Sequence, residues 1–431
     1  MNYIRQIIFE MRHQPLMTWL SVAGTAIAIF LIMSDFMINN IDSVSVAPES
    51  KRSRIVYGYG GHTQSEKNSN SGSLSFELAR ELYSGLDGVE AVSYSSGDPY
   101  PISVCLPGSI PENCLVRQTD EVYWDIYDYN FIEGAPFSKE EVESGIPVAI
   151  MTRSMAEHFF GKNETYVGRE ILVENRPYRI SGIVADINPL MSNTLSDVFV
   201  SHIAYGLPTS TWSTYLGSYQ PVLLLKEGTD LKHVRQQVET RYNLFNKHHE
   251  KEGISLIYHE QPWTNEEKNS DAGSNTTPDL TMKHRSRLIG YLILLIIPAI
   301  NLSSMTRSRM RQRVSEIGLR RAFGCSRSRI VLNLLTENFI ISIIGGIIGL
   351  TLSIIFIVSF SNYFIDYNGW MINTVSQTMS RPTLPMLFSW RAFAAVMIFC
   401  FLLNILSAGI PAIKASFINP AEAISGHNVH K

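Results

Sequence analysis

The sequence predicts a membrane domain of four α-helical spans and a large extracytoplasmic α+β domain built from two subdomains. Three observations predict it. Four stretches of the 431 residues are long and apolar enough to cross a bilayer, which takes about 20 mostly apolar residues in a helix. The chain between the first and second stretches, roughly 40 to 285, is polar and mixed like a soluble domain. A short segment between the second and third carries Arg307, Arg309, Arg311, Arg313, Arg320, Arg321, Arg327 and Arg329, with Glu316 as its one acid. Mean hydropathy is close to zero because the apolar residues are concentrated rather than few.

The membrane elements follow in order. Residues 1–15 read as an interfacial amphipathic helix, with Ile4, Ile7, Ile8 and Met11 on one face and Arg5, Gln6, Arg12 and His13 on the rest. Pro15 separates it from the first span, 16–38, whose one charge, Asp35, lies near the outer end. The small-residue exit Val44 to Ala47 runs into Pro48, a poor cleavage context, so the first span is expected to be retained. The second span covers 286–305, and Leu288 to Thr306 carries no charge. The third covers 338–365, the outer loop 366–391, the fourth span 392–413 and the tail 414–431. Short cytoplasmic loops carry the excess of Lys and Arg. The arginine-rich segment 306–330 is therefore inside, as are both termini, and 39–285 is outside.

Within 39–285, two similar β-α-β patterns stand at the two ends. The first has a strand at Arg54 to Tyr59, an amphipathic helix from Ser75 to Leu86 and a strand at Val89 to Ser93. The second has a strand at Pro221 to Leu225, a helix capped by Thr229 or Asp230 and a strand at Ile254 to Tyr258. Leu231, Val234, Val238, Tyr242 and Phe245 make the buried face of that helix. Together they suggest one split subdomain, about 46–100 and 216–260, with a β-rich insert of about 100–215. The insert's clearest pieces are strands at 148–150, 171–173 and 178–184 and a helix from Ser154 to Phe160 ending at Gly161. Gln64 to Ser73 and Thr264 to Asp279, rich in Ser, Asn and Gly, are expected to be mobile.

Chemistry-bearing motifs are sparse. The net charge of −3 and the local character of the arginine cluster give no reason to expect a nucleic-acid partner. Gly161-Lys162 lacks the surroundings of a phosphate-binding loop, and neither HExxH nor Gly-x-Ser-x-Gly occurs. The adjacent His248 and His249 do not share a helix face, so no metal site is expected there. The sequence leaves open whether Cys105 and Cys114 form a disulfide or stay free, since Cα separation decides that. Gly345, Gly346 and Gly349 include a G-x-x-x-G, which suits either a dimer contact or close packing on the first span. On the cytoplasmic segment Met310, Val314 and Ile317 fall on one helix face with Phe323 near its end, and Glu316 precedes Arg320 by one turn. Gly324 suits a helix stop, and Ser326 the cap of the next helix. An exposed helix with an apolar stripe fits a partner surface or the membrane surface.

Residues Glu316 to Cys325, EIGLRRAFGC, resemble the REIGIRKALGA signature of MacB/FtsX/LolC-type ABC transporter permeases. Asn301 matches the end of the family's glycine-rich run, although Pro298-Ala299-Ile300 replaces its glycines. Ile343 to Gly349 resembles the family's third helix. Pro411 to Ala415 and Asn419 to Ile424 resemble its C-terminal PARRAARLDPIEALR, with Ile413 and Ser425 in place of basic residues. Ala156 to Gly161 and Val167 to Val184 resemble the MacB-like periplasmic core domain.

The resemblance implies a permease subunit of the bacterial inner membrane that pairs with a second permease chain and docks a separate ATPase. ATP and Mg would sit on that ATPase, and this chain itself would hold no cofactor. Arg313, Glu316, Ile317, Gly318, Arg320, Arg321, Phe323 and Gly324 would then form the ATPase-coupling element. Work would be done outside the membrane, as export of peptide, drug-like or lipoprotein substrates or as control of periplasmic partners such as an adaptor. A second class is a non-enzymatic sensor whose outer domain binds a ligand and signals through a partner. The largest inner segment is too small to be a domain, so a sensor would need that partner. A membrane hydrolase finds no residue set to carry it.

Overall fold

The computed structural model describes residues 15–41, 45–66, 68–162, 164–188, 191–209, 211, 213–270, 273–312, 319, 322–360 and 387–416. In chain order it has α1 (Pro15–Ile41), then β1 (Ile55–Tyr57), β2 (Gly61–Ser65), β3 (Ser69–Gly72), α2 (Phe76–Tyr83) and β4 (Val89–Ser93). The insert follows with β5 (Tyr100–Cys105), β6 (Glu112–Thr119), β7 (Phe131–Gly134), β8 (Val148–Thr152), α3 (Arg153–Phe160), β9 (Glu170–Val173), β10 (Arg176–Val184) and β11 (Val198–Ser201). Then come β12 (Val222–Leu225), α4 (Leu231–His248), β13 (Ile254–Leu256) and α5 (Asn265–Lys268). Three long helices close the described chain: α6 (Leu280–Gln312), α7 (Arg327–Phe360) and α8 (Trp390–Ser416). The residues divide into two compact units, one built on 40–283 and one carrying the long helices.

In the first unit, β12 is the centre of a three-stranded antiparallel sheet, between β1 and β4. Both faces of β1 and β12 are buried, which is why Ile55-Val56-Tyr57 and Val222 to Leu225 are continuous apolar runs. One face packs on α2 and α4 through Leu78, Leu82, Tyr83, Val234, Val238, Tyr242 and Phe245. Ser75 caps α2 and Asp230 caps α4, each accepting a hydrogen bond from a backbone N–H of the first turn. The other face presents Ile55, Tyr57, Val222 and Leu224 to an aromatic centre of Tyr123, Trp124, Tyr127, Phe137 and Phe199 from the insert.

The insert's strands run β7-β10-β8-β11-β6-β5-β9, and β9 pairs again with β10. The ring β10-β8-β11-β6-β5-β9 is therefore closed, which removes the free edges an open sheet would expose. The β8–β10 and β6–β11 pairs are parallel and the rest antiparallel. Val104, Val116, Ala149, Met151, Ile180, Val198 and Val200 belong to its core.

Two stretches expected to be mobile carry regular elements among their described residues. Gln64 and Ser65 end β2 and Ser69 to Gly72 form β3; the two strands pair with each other, and β2 pairs with β13. Backbone pairing needs no apolar side chain, and β3 is an exposed polar edge, so hydrophobic periodicity could not reveal it. Thr264 and Glu267 form a capping box that starts α5, a T-x-x-E signal that composition alone obscured.

Among the described residues two helices are long and apolar enough to cross a membrane, Thr18–Asn39 within α1 and Ser328–Phe360 within α7. A shorter apolar stretch, Trp390–Leu402, lies in α8. The expected interfacial helix, outer loop and tail lie almost entirely outside the described residues.

Candidate functional site

The proposed coupling segment lies between α6 and α7. Arg313, Glu316, Ile317, Gly318, Arg320 and Arg321 fall outside the described residues. Phe323 is 84% exposed, and Leu319, one helical turn before it, is 51% exposed. The Phe323 N–H donates to the Leu319 carbonyl at 3.1 Å, so both side chains project from the same helical turn. Gly324 then takes φ +85° and ends the turn. That is a left-handed position with open space around it, which favours glycine on backbone grounds alone. The Ser326 carbonyl accepts from the N–H groups of Arg329 and Ile330, which places Ser326 at the start of α7. Leu319 was not on the stripe inferred from sequence, and its i,i+4 spacing to Phe323 is the signal that would have found it.

The glycines of α7 face helices of the same chain. A Cβ on Gly345 would lie 2.9 Å from Thr25 Cβ, and one on Gly349 would lie 2.5 Å from the Ala26 carbonyl oxygen. Gly346 meets Met397 of α8 and Ile29 of α1 instead. Ile341, Gly345, Gly349, Ser353 and Ile357 are all buried at every fourth position, the i±4 ridge that packs into a neighbour's groove. Ser353 Oγ donates to the Phe30 carbonyl at 3.1 Å, and the rings of Phe30 and Phe356 meet edge to face. Within this chain the face packs on α1. Phe339 and Phe401 join α7 to α8 at 4.6 Å between centroids.

At the outer end of α1, Asp35 accepts a hydrogen bond from the Tyr291 hydroxyl of α6 at 2.6 Å, and Arg287 reaches Asn39. Asp35 thus serves as an interhelix tie. Within α7, Glu337 is only 5% exposed. The span read from sequence begins one residue later and so misses this buried carboxylate. Glu337 lies within the apolar stretch Ser328–Phe360, where a buried acid is costly.

The outer unit holds a second polar concentration. Glu49 pairs with Arg52 at 2.8 Å with both side chains buried. Glu49 also accepts from Thr194 Oγ1 at 3.1 Å. Asn193 donates to Asn265 at 2.6 Å, and Lys268 donates to Asn193 at 2.8 Å while lying over the Tyr57 ring. Residues after α1, residues of the insert and residues of α5 therefore meet in one hydrogen-bonded junction. Nearby, Asp120 accepts from the Ser93 hydroxyl and the Tyr94 N–H, each at 2.6 Å, and burial pushes its carboxyl up to about 6. Burial pushes His202 down to about 4, so it is neutral where its Nδ1 meets the Tyr219 hydroxyl at 2.8 Å.

Cys105 and Cys114 are both free. The β5–β6 register sets Cys114 opposite Ile102, three positions from Cys105, while Cys105 stands opposite Leu172 of β9. In this register the two cysteines do not stand opposite one another, and a bridge would require the strands to slip by that distance. His249 stacks on Phe245 and its Nδ1 contacts the Phe245 carbonyl, a helix-end packing role.

Comparison with known proteins matches two stretches of the chain. The profile of the MacB-like periplasmic core domain matches residues 18–241, and that of the FtsX-like permease C-terminal region matches 288–420. The pyoverdine export ATP-binding/permease protein PvdT of Pseudomonas syringae pv. syringae is 27% identical over 249 residues, 57% of this chain and 36% of that protein. The ABC transporter permease YknZ of Bacillus subtilis is 24% identical over 314 residues, 72% of this chain and 70% of that one. The macrolide export ATP-binding/permease protein MacB of Escherichia coli K12 is 23% identical over 310 residues, 70% of this chain and 42% of that one. The chain thus spans about a third of the length of the pyoverdine export relatives. Among solved structures, the extracellular domain of YknZ has a TM-score of 0.32 at 20% identity, covering 43% of this chain and 89% of that one. A permease domain from Porphyromonas gingivalis has a TM-score of 0.39 at 15% identity, covering 55% and 97%.

Proposed function

We propose, from the premise that this chain belongs to the family of FtsX-like ABC transporter permeases with a MacB-like periplasmic core domain, that it couples ATP hydrolysis on a separate ATPase to movement of its outer domain. The observation that carries the proposal is the Leu319–Phe323 step. Two large apolar side chains stand exposed one turn apart within an arginine-rich segment between α6 and α7. Such a step is suited to a pocket on a protein, with the arginines and Glu316 supplying polar contacts around it.

On this reading α1, α6, α7 and α8 are four membrane spans, with the arginine-rich segment cytoplasmic and residues 39–285 outside. A second permease chain completes the assembly, and ATP and Mg are held by the ATPase. The relatives' names point to outward export, of pyoverdine in one case and of macrolides in another. For this chain we propose the broader class of extrusion or release on the outer side of an inner membrane.

The test is co-purification of an ATPase with the full chain from native membranes at matched expression. Glu316→Lys and Arg320→Glu are each expected to reduce ATPase recovery by about tenfold while membrane insertion stays at the wild-type level, the loss of a partly buried charge contact. Equal recovery from wild type and both variants would refute the assignment of this segment.

A further inference from the structure

We propose that His62 and His259 form a proton-operated latch between the β2–β3 hairpin and the segment leading into α6, closed with one shared proton and open with two. His62 Nδ1 and His259 Nε2 are 3.0 Å apart, their ring planes are within 7°, and the ring centroids are 5.2 Å apart. Two ring radii added to the nitrogen contact come close to that centroid separation. The rings therefore lie nearly in line and side by side in one plane. That is the geometry of an N–H donating to a bare ring nitrogen.

The far nitrogens are also engaged. His62 Nε2 is 2.9 Å from Ser69 Oγ on β3, and His259 Nδ1 is 3.3 Å from Thr277 Oγ1. A hydroxyl donates or accepts as needed, so either tautomer of the pair is served. The result is one line of contacts from β3 through β2 and His259 to Thr277, three residues before α6 begins at Leu280. Protonation of the accepting ring turns both facing nitrogens into donors, with no acceptor left between them and one ring positive. A further proton on the far nitrogen of the other ring makes both rings positive, and the like charges repel.

The surroundings support this. Burial lowers His259 below the ordinary histidine value, and the charge of His62 lowers it further. Around the pair, β3 and β13 carry no ionisable side chain. The described turn after β2 carries Glu66, the stretch after β13 carries Tyr258 and Glu260, and the approach to α6 carries Asp279. The Tyr258 hydroxyl is turned to the Arg235 and Gln261 carbonyls. Of these groups, His62 is the one whose charge acts on His259. A chelated metal would need the two lone pairs to converge off the line of the nitrogens, drawing the centroids closer. The proton fits the observed contact better. The latch stands on outer-domain geometry and does not depend on the ATPase reading.

Hydrogen exchange of the full chain in lipid nanodiscs, corrected for intrinsic pH effects, tests it at about pH 7.5 and about pH 5. The Ile257 N–H, which donates to the His62 carbonyl at 2.8 Å, and the amides of β3 are the probes. In wild type their exchange is expected to rise roughly tenfold at the lower pH. His62→Gln and His259→Gln should each remove most of that rise, while Ser69→Ala, which leaves the pair intact, should keep it. Using both histidine variants guards against one of them disturbing the hairpin. An absent rise in wild type, or a rise that persists in both histidine variants, overturns the latch. Protection of the same amides by Ni²⁺, Cu²⁺ or Zn²⁺ in wild type but not in His62→Gln also overturns it, in favour of a metal site.

Discussion

The seam between α1 and α7 and the aromatic centre beside β1 and β12 are both closely packed, yet they are built from opposite residues. The seam uses Gly345, Gly349 and Ser353 against Val22, Thr25 and Ala26. The aromatic centre uses Tyr123, Trp124, Tyr127 and Phe199, with Trp124 and Phe199 centroids 5.2 Å apart. The difference lies in the solvent each region leaves. Out of water, a buried aromatic ring removes about 150–250 Å² of surface at about 25 cal/mol per Å². In lipid that gain vanishes, because hydrocarbon surrounds the helix before and after it packs. Only proximity is left to favour association, so small residues are worth more than large ones.

The largest loss on truncation is expected in the aromatic centre. Phe199 is fully buried against Tyr123, Trp124 and Tyr129. Phe199→Ala should cost about 3–5 kcal/mol of outer-domain stability. Denaturant unfolding of the full chain, followed by tryptophan fluorescence, measures it. A loss below about 1 kcal/mol would mean that the centre collapses around the cavity, and that volume matters less here than argued.

His202 tests the same region through pH. Its folded value of about 4 lies below the ordinary 6.5, so its contribution is full above about 6.5 and is lost as pH falls through 4. The difference amounts to about 3 kcal/mol. Asp120, raised from 3.8 to about 6, has the opposite sign: its native form takes up a proton first, and stability grows as pH falls across that window. The two largely offset one another in wild type. His202→Gln should therefore leave a protein whose outer domain gains thermal stability relative to wild type between about pH 6.5 and about pH 4. Melting curves across that range settle it, and parallel curves for the two proteins would contradict the neutral, buried assignment.

The same contrast explains what could be read from sequence. The runs at Val222 to Leu225 and the face Val234, Val238, Tyr242 and Phe245 were legible because water-driven burial writes its period into residue type. The closed ring of the insert was not, because it depends on β5 meeting β9 through Val104–Val173 and Cys105–Leu172. No local pattern encodes a pairing so distant in sequence. The polar hairpin at β2–β3 was missed because its pairing is set by what lies opposite. Of the segment between α6 and α7, the stop at Gly324 and the exposure of Phe323 could be anticipated, since each follows from its own backbone or charge context.

At the seam, Gly349→Val should force α1 and α7 apart, since its first side-chain carbon would stand 2.5 Å from the Ala26 carbonyl oxygen. Overpacking of this kind costs about 1–3 kcal/mol. Gly290→Ala on α6, where nothing lies within 4 Å, is the matched control and should be silent. Cysteine cross-linking between α1 and α7 reports the separation, and equal yields in the two variants would show that the helices do not depend on close approach.

The smallest expected effect is the sharpest test of the lipid argument. Ser353 Oγ donates within reach of two carbonyls, its own helix's Gly349 at 2.8 Å and the partner helix's Phe30 at 3.1 Å. Because the intrahelical acceptor remains available when the helices part, the hydroxyl is never left unsatisfied. The interhelical share should then be small, about 0.6 kcal/mol, the average found for such bonds in membranes. Ser353→Ala is expected to lower α1–α7 association by about that amount, and Ser353→Val by more, through its added bulk. If Ser353→Ala instead cost as much as Gly349→Val, hydrogen bonding rather than close approach would be holding the seam, and the contrast with the aromatic centre would have to be redrawn around polarity.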